Sequence, residues 1–143
     1  MVEFLCLKLV ETQMLCSSFS LNIRYSKDCQ PPSGGSRHLP QSTDSFEVLE
    51  EYFRELFWET TYRNAPIRQI CVSANDLQWL GRAEQQLFSA YQVDEQRDRD
   101  RQQVLLDVKK KYGKNAILRG ISYRDKATAR VRNTLIGGHK GGE

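Results

Sequence analysis

Residues 18–25 read Ser-Phe-Ser-Leu-Asn-Ile-Arg-Tyr, an unbroken alternation of polar and apolar side chains. Alternate residues of a β-strand point to opposite sides of a sheet, so a core is predicted to bury Phe19, Leu21, Ile23 and Tyr25. The other side then carries Ser18, Ser20, Asn22 and Arg24. This stretch predicts a strand in a sheet that is covered on one face and open on the other.

A hairpin is predicted to follow this strand. Residues 26–35 hold two prolines and the pair Gly34–Gly35, which permits the positive φ of a tight turn. A short second strand is expected at Ser36–Leu39. Pro40 is expected to end it, because proline has no N–H to donate to a neighbouring strand.

Two helices and a third strand surround the hairpin. Residues 2–14 have apolar side chains at helical spacing, and a second helix is predicted from a capping Asp44 to about residue 62. Its core face would consist of Phe46, Leu49, Phe53, Leu56 and Phe57. Residues 67–75 alternate again, with the open side formed by Gln69, Cys71, Ser73 and Asn75.

The order helix, strand, strand, helix, strand predicts an α+β fold, an antiparallel sheet with both helices on one face. It is a β-α-β-β-α-β unit that lacks its first strand, and the absence of a central strand would leave a gap in the sheet. Residues 115–123 form a candidate strand for that gap. Residues 76–94 are expected to be irregular, 95–112 to form a polar helix that ends at Gly113, and the last residues to be frayed.

Composition restricts the class of protein. Of 143 residues, 39% are hydrophobic, which excludes a wholly disordered chain, and no apolar run is long enough for a membrane helix. The first ten residues lack the features of a signal peptide, so a cytoplasmic protein is expected. Four cysteines without CxxC spacing and two distant histidines favour structural thiols over a metal site; a Cys–His nucleophile pair has no support but stays open.

Charge is distributed unevenly along the chain. Residues 1–64 carry six basic and nine acidic residues, whereas residues 109–143 carry ten basic and two acidic ones. Five of the acids lie on the second predicted helix, away from the open face of the sheet. A basic tail on a near-neutral body favours a polyanionic partner, although a solvated tail has the same composition.

Three stretches together resemble the C-terminal part of bacterial Y-family DNA polymerases of the UmuC/ImpB/MucB/SamB group. The first is residues 20–26 with the turn Gly34-Gly35-Ser36-Arg37, similar to the family's first hairpin. The second is residues 66–73, similar to its last little-finger strand. The third comprises residues 111–119, 127–130 and 132–139, which resemble its C-terminal signature.

The resemblance implies a domain organisation. Residues 1–77 correspond to most of the little-finger DNA-binding domain, 78–94 to a linker, and 95–143 to a C-terminal helix and basic tail. Met1 would then be an internal residue of a longer polymerase.

The resemblance also implies a DNA-binding role for the open face. Hydroxyl, amide and guanidinium groups suit contact with phosphates, which positions DNA without reading its sequence. The expected partner is duplex or primer-template DNA, in a nucleoid-associated protein of the SOS response. The expected contacts are Ser20, Asn22, Arg24, Ser36, Arg37, Arg68, Gln69 and Ser73.

Two further partners are implied. Gln85, Leu87 and Phe88 resemble the family's peptide for the replication sliding clamp, although this copy is one residue short. A linker or helix end is an equally good interpretation of these residues. The tail would bind phosphate or another SOS protein, such as a recombinase filament or a regulatory subunit.

No catalysis is expected from this chain. The family's Mg²⁺-binding carboxylates lie in the palm, and residues 122–125 match that motif only superficially, so no cofactor or metal is expected here. The alternatives are a protein-interaction fragment, a truncated reading frame without a role of its own, and an RRM-like RNA-binding module. The last requires stacking aromatics on the open face, where the pattern places none.

Overall fold

The structure is a computed structural model that describes residues 1–26, 30–83, 92–136 and 139–140. The chain divides into two compact units, Met1–Gln102 and Gln103–Glu143. No helix in the described part is long and apolar enough to cross a membrane. The elements are α1 (Val2–Thr12), β1 (Met14–Tyr25), β2 (Ser33–Thr43), α2 (Phe46–Thr60), β3 (Ile67–Trp79), α3 (Leu80–Ala83), α4 (Gln92–Tyr112), a 3-10 helix (Gly120–Tyr123), α5 (Ala129–Asn133), β4 (Leu135–Ile136) and β5 (His139–Lys140).

The first unit is an antiparallel sheet in the order β2-β1-β3, with α1 and α2 packed on one face. Its core is built from α1, β1 and α2 together with Leu39, and the residues with at most 4% exposure include Cys6, Leu9, Cys16, Phe19, Leu21, Ile23, Leu49, Phe53 and Leu56. The predicted α+β fold, with both helices on one face, is confirmed.

An irregularity in β1 changes which side of the strand faces the helices. Cys16 and Phe19 both lie in the core, although regular alternation puts residues three apart on opposite faces. The pairing with β2 shifts between Cys16 and Ser18, and such a bulge accounts for the change. Ser18 lies beyond the bulge, opposite His38 and Asn75, and therefore keeps the predicted side of the strand. It is nevertheless only 4% exposed, and its hydroxyl is hydrogen-bonded to Asp76.

The second strand is longer than predicted. β2 runs from Ser33 to Thr43, so Pro40 lies within it and does not end it. Proline is tolerated there because β2 is an edge strand and its pairing with β1 is irregular in this stretch. Gly34 has the predicted positive φ (+116°), but it lies within β2, opposite Asn22, and not in the turn. A Cβ there would clash with the carbonyl oxygen of Leu21.

The third strand leaves no gap in the described sheet. β3 pairs directly with β1, from Ile67 opposite Tyr25 to Trp79 opposite Met14, so the predicted gap is wrong. The prediction that residues 76–94 are irregular is also wrong for 76–83, where β3 continues and α3 follows, and for 92–94, where α4 begins. Ladder hydrogen bonds with the long central strand hold this polar stretch in an extended conformation.

A set of five residues that we name the clasp joins α4 to the start of α2: Asp44, Ser45, Asp98, Arg99 and Gln102. The N-cap of α2 is Ser45 and not Asp44 as predicted. The carboxylate of Asp98 accepts hydrogen bonds from Ser45 Oγ (2.7 Å) and from the backbone N–H of Phe46 (3.1 Å). Arg99 pairs with Asp44, and Gln102 donates to the Asp44 carbonyl and to Asp98. The first turn of α2 is therefore capped by Asp98, 53 residues further along the chain than Ser45, and not by Asp44 as predicted.

The second unit contains the end of α4 and four short elements. The predicted helix over 95–112 is confirmed, and Gly113 follows it at φ +95°. The strand considered for 115–123 is absent; this stretch contains the 3-10 helix, in which Ser122 N–H donates to the Arg119 carbonyl at 2.9 Å. A strand needs a neighbour to pair with, and the described residues supply none there. The predicted fraying of residues 141–143 lies outside the described residues.

Candidate nucleic-acid interface

Beyond the bulge, the three strands form an uncovered surface, which we name the open sheet face: Ser20, Asn22, Arg24, Ser36, Gln69, Cys71 and Ser73. The register places Ser20 between Ser36 and Ser73. Cys71 lies opposite Asn22, and Gln69 opposite Arg24. All are exposed except Ser20, which is half-buried and accepts a hydrogen bond from Asn75 at 3.2 Å. Alternation thus brings together six of the eight predicted contact residues.

Two exposed arginines lie at one end of the β1–β3 pair, and of these only Arg24 belongs to the open sheet face. Arg24 is exposed, and the exposed Arg68 lies where the β1–β3 pairing shifts, between Ile67 and Gln69. Within the described ranges, neither has an acidic side chain at ion-pair distance. Both are therefore available to an external anion.

Arg37 does not join the open sheet face. It lies opposite Phe19, a core residue, and its guanidinium pairs with Glu59 on α2, which packs on the other side of the sheet. The sequence placed Arg37 beside the hairpin but did not specify its face, because that face depends on the register with β1.

The opposite end of the face has a polar cluster that the sequence did not indicate. Ser18 donates to the carboxylate of Asp76, and His38 Nδ1 lies 4.0 Å from the same carboxylate. Asp76 adopts φ +50°, which is uncommon for a residue other than glycine. In the sequence, Asp76 was recognisable only as a residue of a turn-forming type directly after the predicted third strand. An acidic group therefore lies at the end of the face remote from Arg24.

The acidic residues of α2 lie on the helical side of the sheet. Glu47, Glu51, Glu55 and Glu59 are exposed on this helix, which packs against the core face of β1. The sheet therefore separates a polar face that carries Arg24 from a strongly acidic helix. Neutral donors with unpaired arginines can contact phosphates, while the acidic helix on the other side would repel them.

Two cysteines of the sheet differ in their environment, which gives a testable prediction. Burial raises the pKa of the Cys16 thiol to about 11, and its Sγ donates to the Thr43 carbonyl at 3.4 Å. Cys71 is exposed on the open sheet face. Because the thiolate is the nucleophile, iodoacetamide at about pH 8 is expected to alkylate Cys71 in the folded protein and to spare Cys16 until it unfolds. Peptide mass spectrometry measures both sites; equal rates in the folded protein would contradict the burial of Cys16.

The predicted clamp-binding residues Gln85, Leu87 and Phe88 lie outside the described residues. The described part holds no group of three or more His, Cys, Asp or Glu side chains suited to a metal ion.

Comparison with known proteins gives two findings. The model of the impB/mucB/samB family C-terminal domain matches residues 1–87, more than half of the chain. The chain is also 32% identical over 126 residues to the "Putative UV-damage repair protein UvrX" of Bacillus subtilis (strain 168). That similarity covers 86% of this chain but 29% of the relative.

Proposed function

The chain belongs to the impB/mucB/samB family, whose C-terminal domain it carries, and from this premise we propose that its open sheet face binds duplex DNA independently of sequence. The observation behind the proposal is that Arg24, which has no acidic partner in the described residues, shares the open sheet face with the exposed polar groups of Asn22, Gln69 and Ser73, with the exposed Arg68 next to Gln69 at the shift in the β1–β3 pairing. Such groups hydrogen-bond to phosphate oxygens, which are the same in every sequence. The resemblance to Y-family polymerases seen in the sequence is confirmed.

The biological setting is proposed on the same basis. The relative's name refers to UV-damage repair, and we propose that this chain acts in DNA repair and translesion synthesis. The C-terminal domain is not the catalytic part. We propose that the whole protein is a DNA-directed DNA polymerase whose Mg²⁺-binding carboxylates lie in a palm domain, and that residues 1–143 bind no metal or cofactor.

Two partners besides primer-template DNA remain proposals. Gln85, Leu87 and Phe88 would bind the sliding clamp as a short peptide, with the two apolar side chains in a pocket. The basic tail is the second region, and its charge favours an anionic ligand. An RNA-binding sheet has less support, since Phe19 and Tyr25, the aromatic residues of β1, are buried in the core and cannot stack on bases.

Binding to a short duplex tests the role of the two arginines. Arg24→Ala and Arg68→Ala are each expected to weaken binding roughly 5-fold, about 1 kcal/mol, by removing one phosphate contact. Each is also expected to lower the slope of log K against log salt by about 0.9, from about 50 to 200 mM salt. Fluorescence anisotropy with two labelled duplexes of unrelated sequence measures affinity and specificity together.

Arg37→Ala is the matched control, because Arg37 lies on the helical side of the same sheet and is paired with Glu59. Its affinity is expected to stay within about 2-fold of the parent chain. Equal losses from all three variants would indicate attraction to overall charge and would contradict a binding face. A salt-independent affinity, or a strong preference for one duplex, would contradict the proposal as a whole.

Cys71 supplies a second measurement that needs no variant. It lies within the open sheet face, so bound duplex is expected to slow its alkylation. Undiminished alkylation at saturating duplex would place the DNA elsewhere on the chain.

A further inference from the structure

Residues 114–134 of the second unit fold back on themselves through two asparagines. Asn133 donates from Nδ2 to Asn115 Oδ1 at 2.8 Å and to the Lys114 carbonyl at 3.3 Å. Asn115 in turn donates to the Arg130 carbonyl at 3.2 Å. These bonds join the stretch after α4 to α5, although the two asparagines are 18 residues apart. The tail predicted as a basic arm therefore has, in this part, a defined shape.

This fold forms a shallow cleft that is open to solvent, which we name the tail cleft. Its volume is about 370 Å³, within the range of ligand sites in proteins. The side chains around it supply hydroxyl, amide and guanidinium groups with one aromatic ring, from Asn115, Ser122, Tyr123, Arg124, Arg130 and Thr134. No lining residue carries a negative charge.

The charge of this segment favours an anionic ligand. Residues 114–134 contain six basic residues and one acidic residue, Asp125. Arg124 and Arg130 are exposed, and neither has an ion-pair partner in the described part of the chain. Two guanidinium groups that have no acidic partner in the described residues, at one cleft, are suited to successive phosphates of a polyanion.

An exposed aromatic ring distinguishes the tail cleft from a simple phosphate site. Tyr123 is 63% exposed, and the guanidinium carbon of Arg130 lies 5.5 Å from its ring centroid. A tyrosine ring beside arginines is the arrangement with which proteins hold single-stranded nucleic acids, where bases stack on the ring while cations contact the backbone. A duplex offers no unstacked base, and an acidic peptide has none, so neither would use the ring in this way.

We propose that the tail cleft binds single-stranded nucleic acid, with a base stacked on Tyr123 and phosphates on Arg124 and Arg130. The site is separate from the open sheet face and contributes a different specificity. The full chain would then bind duplex through the sheet and an unpaired strand through its second unit.

The test compares three probes of equal length on the full chain: oligothymidylate, the same backbone without bases, and oligoglutamate. One stacked base is expected to make oligothymidylate bind about 5-fold or more tightly than the abasic strand, by fluorescence anisotropy. Tyr123→Ala is expected to remove that difference and to leave abasic binding unchanged. Tyr112→Ala is the matched control, since Tyr112 is 67% exposed with Lys111 Nζ 5.2 Å from its ring but does not line the cleft.

Three outcomes would overturn the proposal. Equal affinity for the thymidylate and abasic strands would show a phosphate site without base recognition. Equal losses from the Tyr123 and Tyr112 variants would show a diffuse basic surface, and oligoglutamate binding as tight as oligothymidylate would show a site for acidic proteins. Unchanged circular dichroism of the variants confirms folding. Duplex binding serves to separate the two proposals: it should be insensitive to Tyr123→Ala and sensitive to Arg24→Ala.

Discussion

Replacing Arg99 by Met is expected to lower the free energy of unfolding of the Met1–Gln102 unit by about 3–5 kcal/mol. Arg99 donates from Nε and Nη2 to the two carboxylate oxygens of Asp44, at 2.9 and 3.3 Å. The side chain of Asp44 is only 4% exposed, so water cannot replace the lost partner. The variant would leave a buried carboxylate without its counter-charge, next to the N-terminus of α2.

Urea denaturation followed by tryptophan fluorescence measures this effect. The chain has two tryptophans, Trp58 on α2 and Trp79 at the end of β3, and both belong to the first unit. The matched control is Arg101→Met, on the same helix, because Arg101 pairs with Glu47 where both side chains are more than 60% exposed. Exposed pairs contribute roughly 0–1 kcal/mol, so this control should unfold almost as the parent chain does.

A double variant separates the charge from the packing. Asp44→Asn combined with Arg99→Met removes both charges, and it is expected to recover much of the stability lost in the single variant. If Arg99→Met costs no more than Arg101→Met, the clasp does not form in solution. If the double variant is as unstable as the single one, lost contacts and not an uncompensated charge are the cause.

Replacing Phe19 by Ala is expected to cost about 3–5 kcal/mol by opening a cavity at the centre of the sheet. Phe19 is fully buried, and its ring centroid lies 4.6 Å from that of Phe53 and 6.1 Å from that of Tyr52. The substitution would therefore remove contacts between the central strand and α2.

Small domains have about 5–15 kcal/mol of stability, so the alanine variant brings the unit close to unfolding. Phe19→Leu is a milder comparison, because it removes fewer buried atoms and leaves a smaller cavity, and it is expected to cost less than Phe19→Ala. Phe4→Ala is the matched control, because Phe4 is 67% exposed on α1. Urea midpoints should follow the order Phe4→Ala, Phe19→Leu, Phe19→Ala, from most to least stable. A loss at Phe4 equal to that at Phe19 would contradict the observed packing.

The sheet was predictable from the sequence where local periodicity determines structure. The alternation at Phe19, Leu21 and Ile23 predicted both the strand and its buried side, because one face of the sheet is covered. The bulge near Ser18 was not predictable, since it depends on how β2 pairs with β1. The clasp was hidden for a similar reason: Asp98 is one of many charged residues on α4, and only the tertiary structure brings it to Ser45.

The open sheet face was predictable from the alternation of side chains, whereas the position of Arg37 and the tail cleft were not. The alternation of polar and apolar residues along β1 and β3 predicted that Asn22, Gln69 and Ser73 share one face. The antiparallel pairing of these strands then makes them neighbours. The face on which Arg37 lies depends on the register between β2 and β1, and the residues of the turn alone did not determine that register. The tail cleft required the Asn115–Asn133 hydrogen bond, which joins residues that no periodicity relates.

The clasp also has a consequence for how the chain is made. Asp98 follows Ser45 by 53 residues, so a ribosome adding about 5–20 residues per second needs about 3–10 s to supply the cap of α2 after making the helix start. During that interval the nascent sheet and its two helices lack the side chains that complete the first turn of α2. The final stability of the Met1–Gln102 unit is therefore set late in synthesis, by a segment beyond residue 87, where the match to the family domain ends.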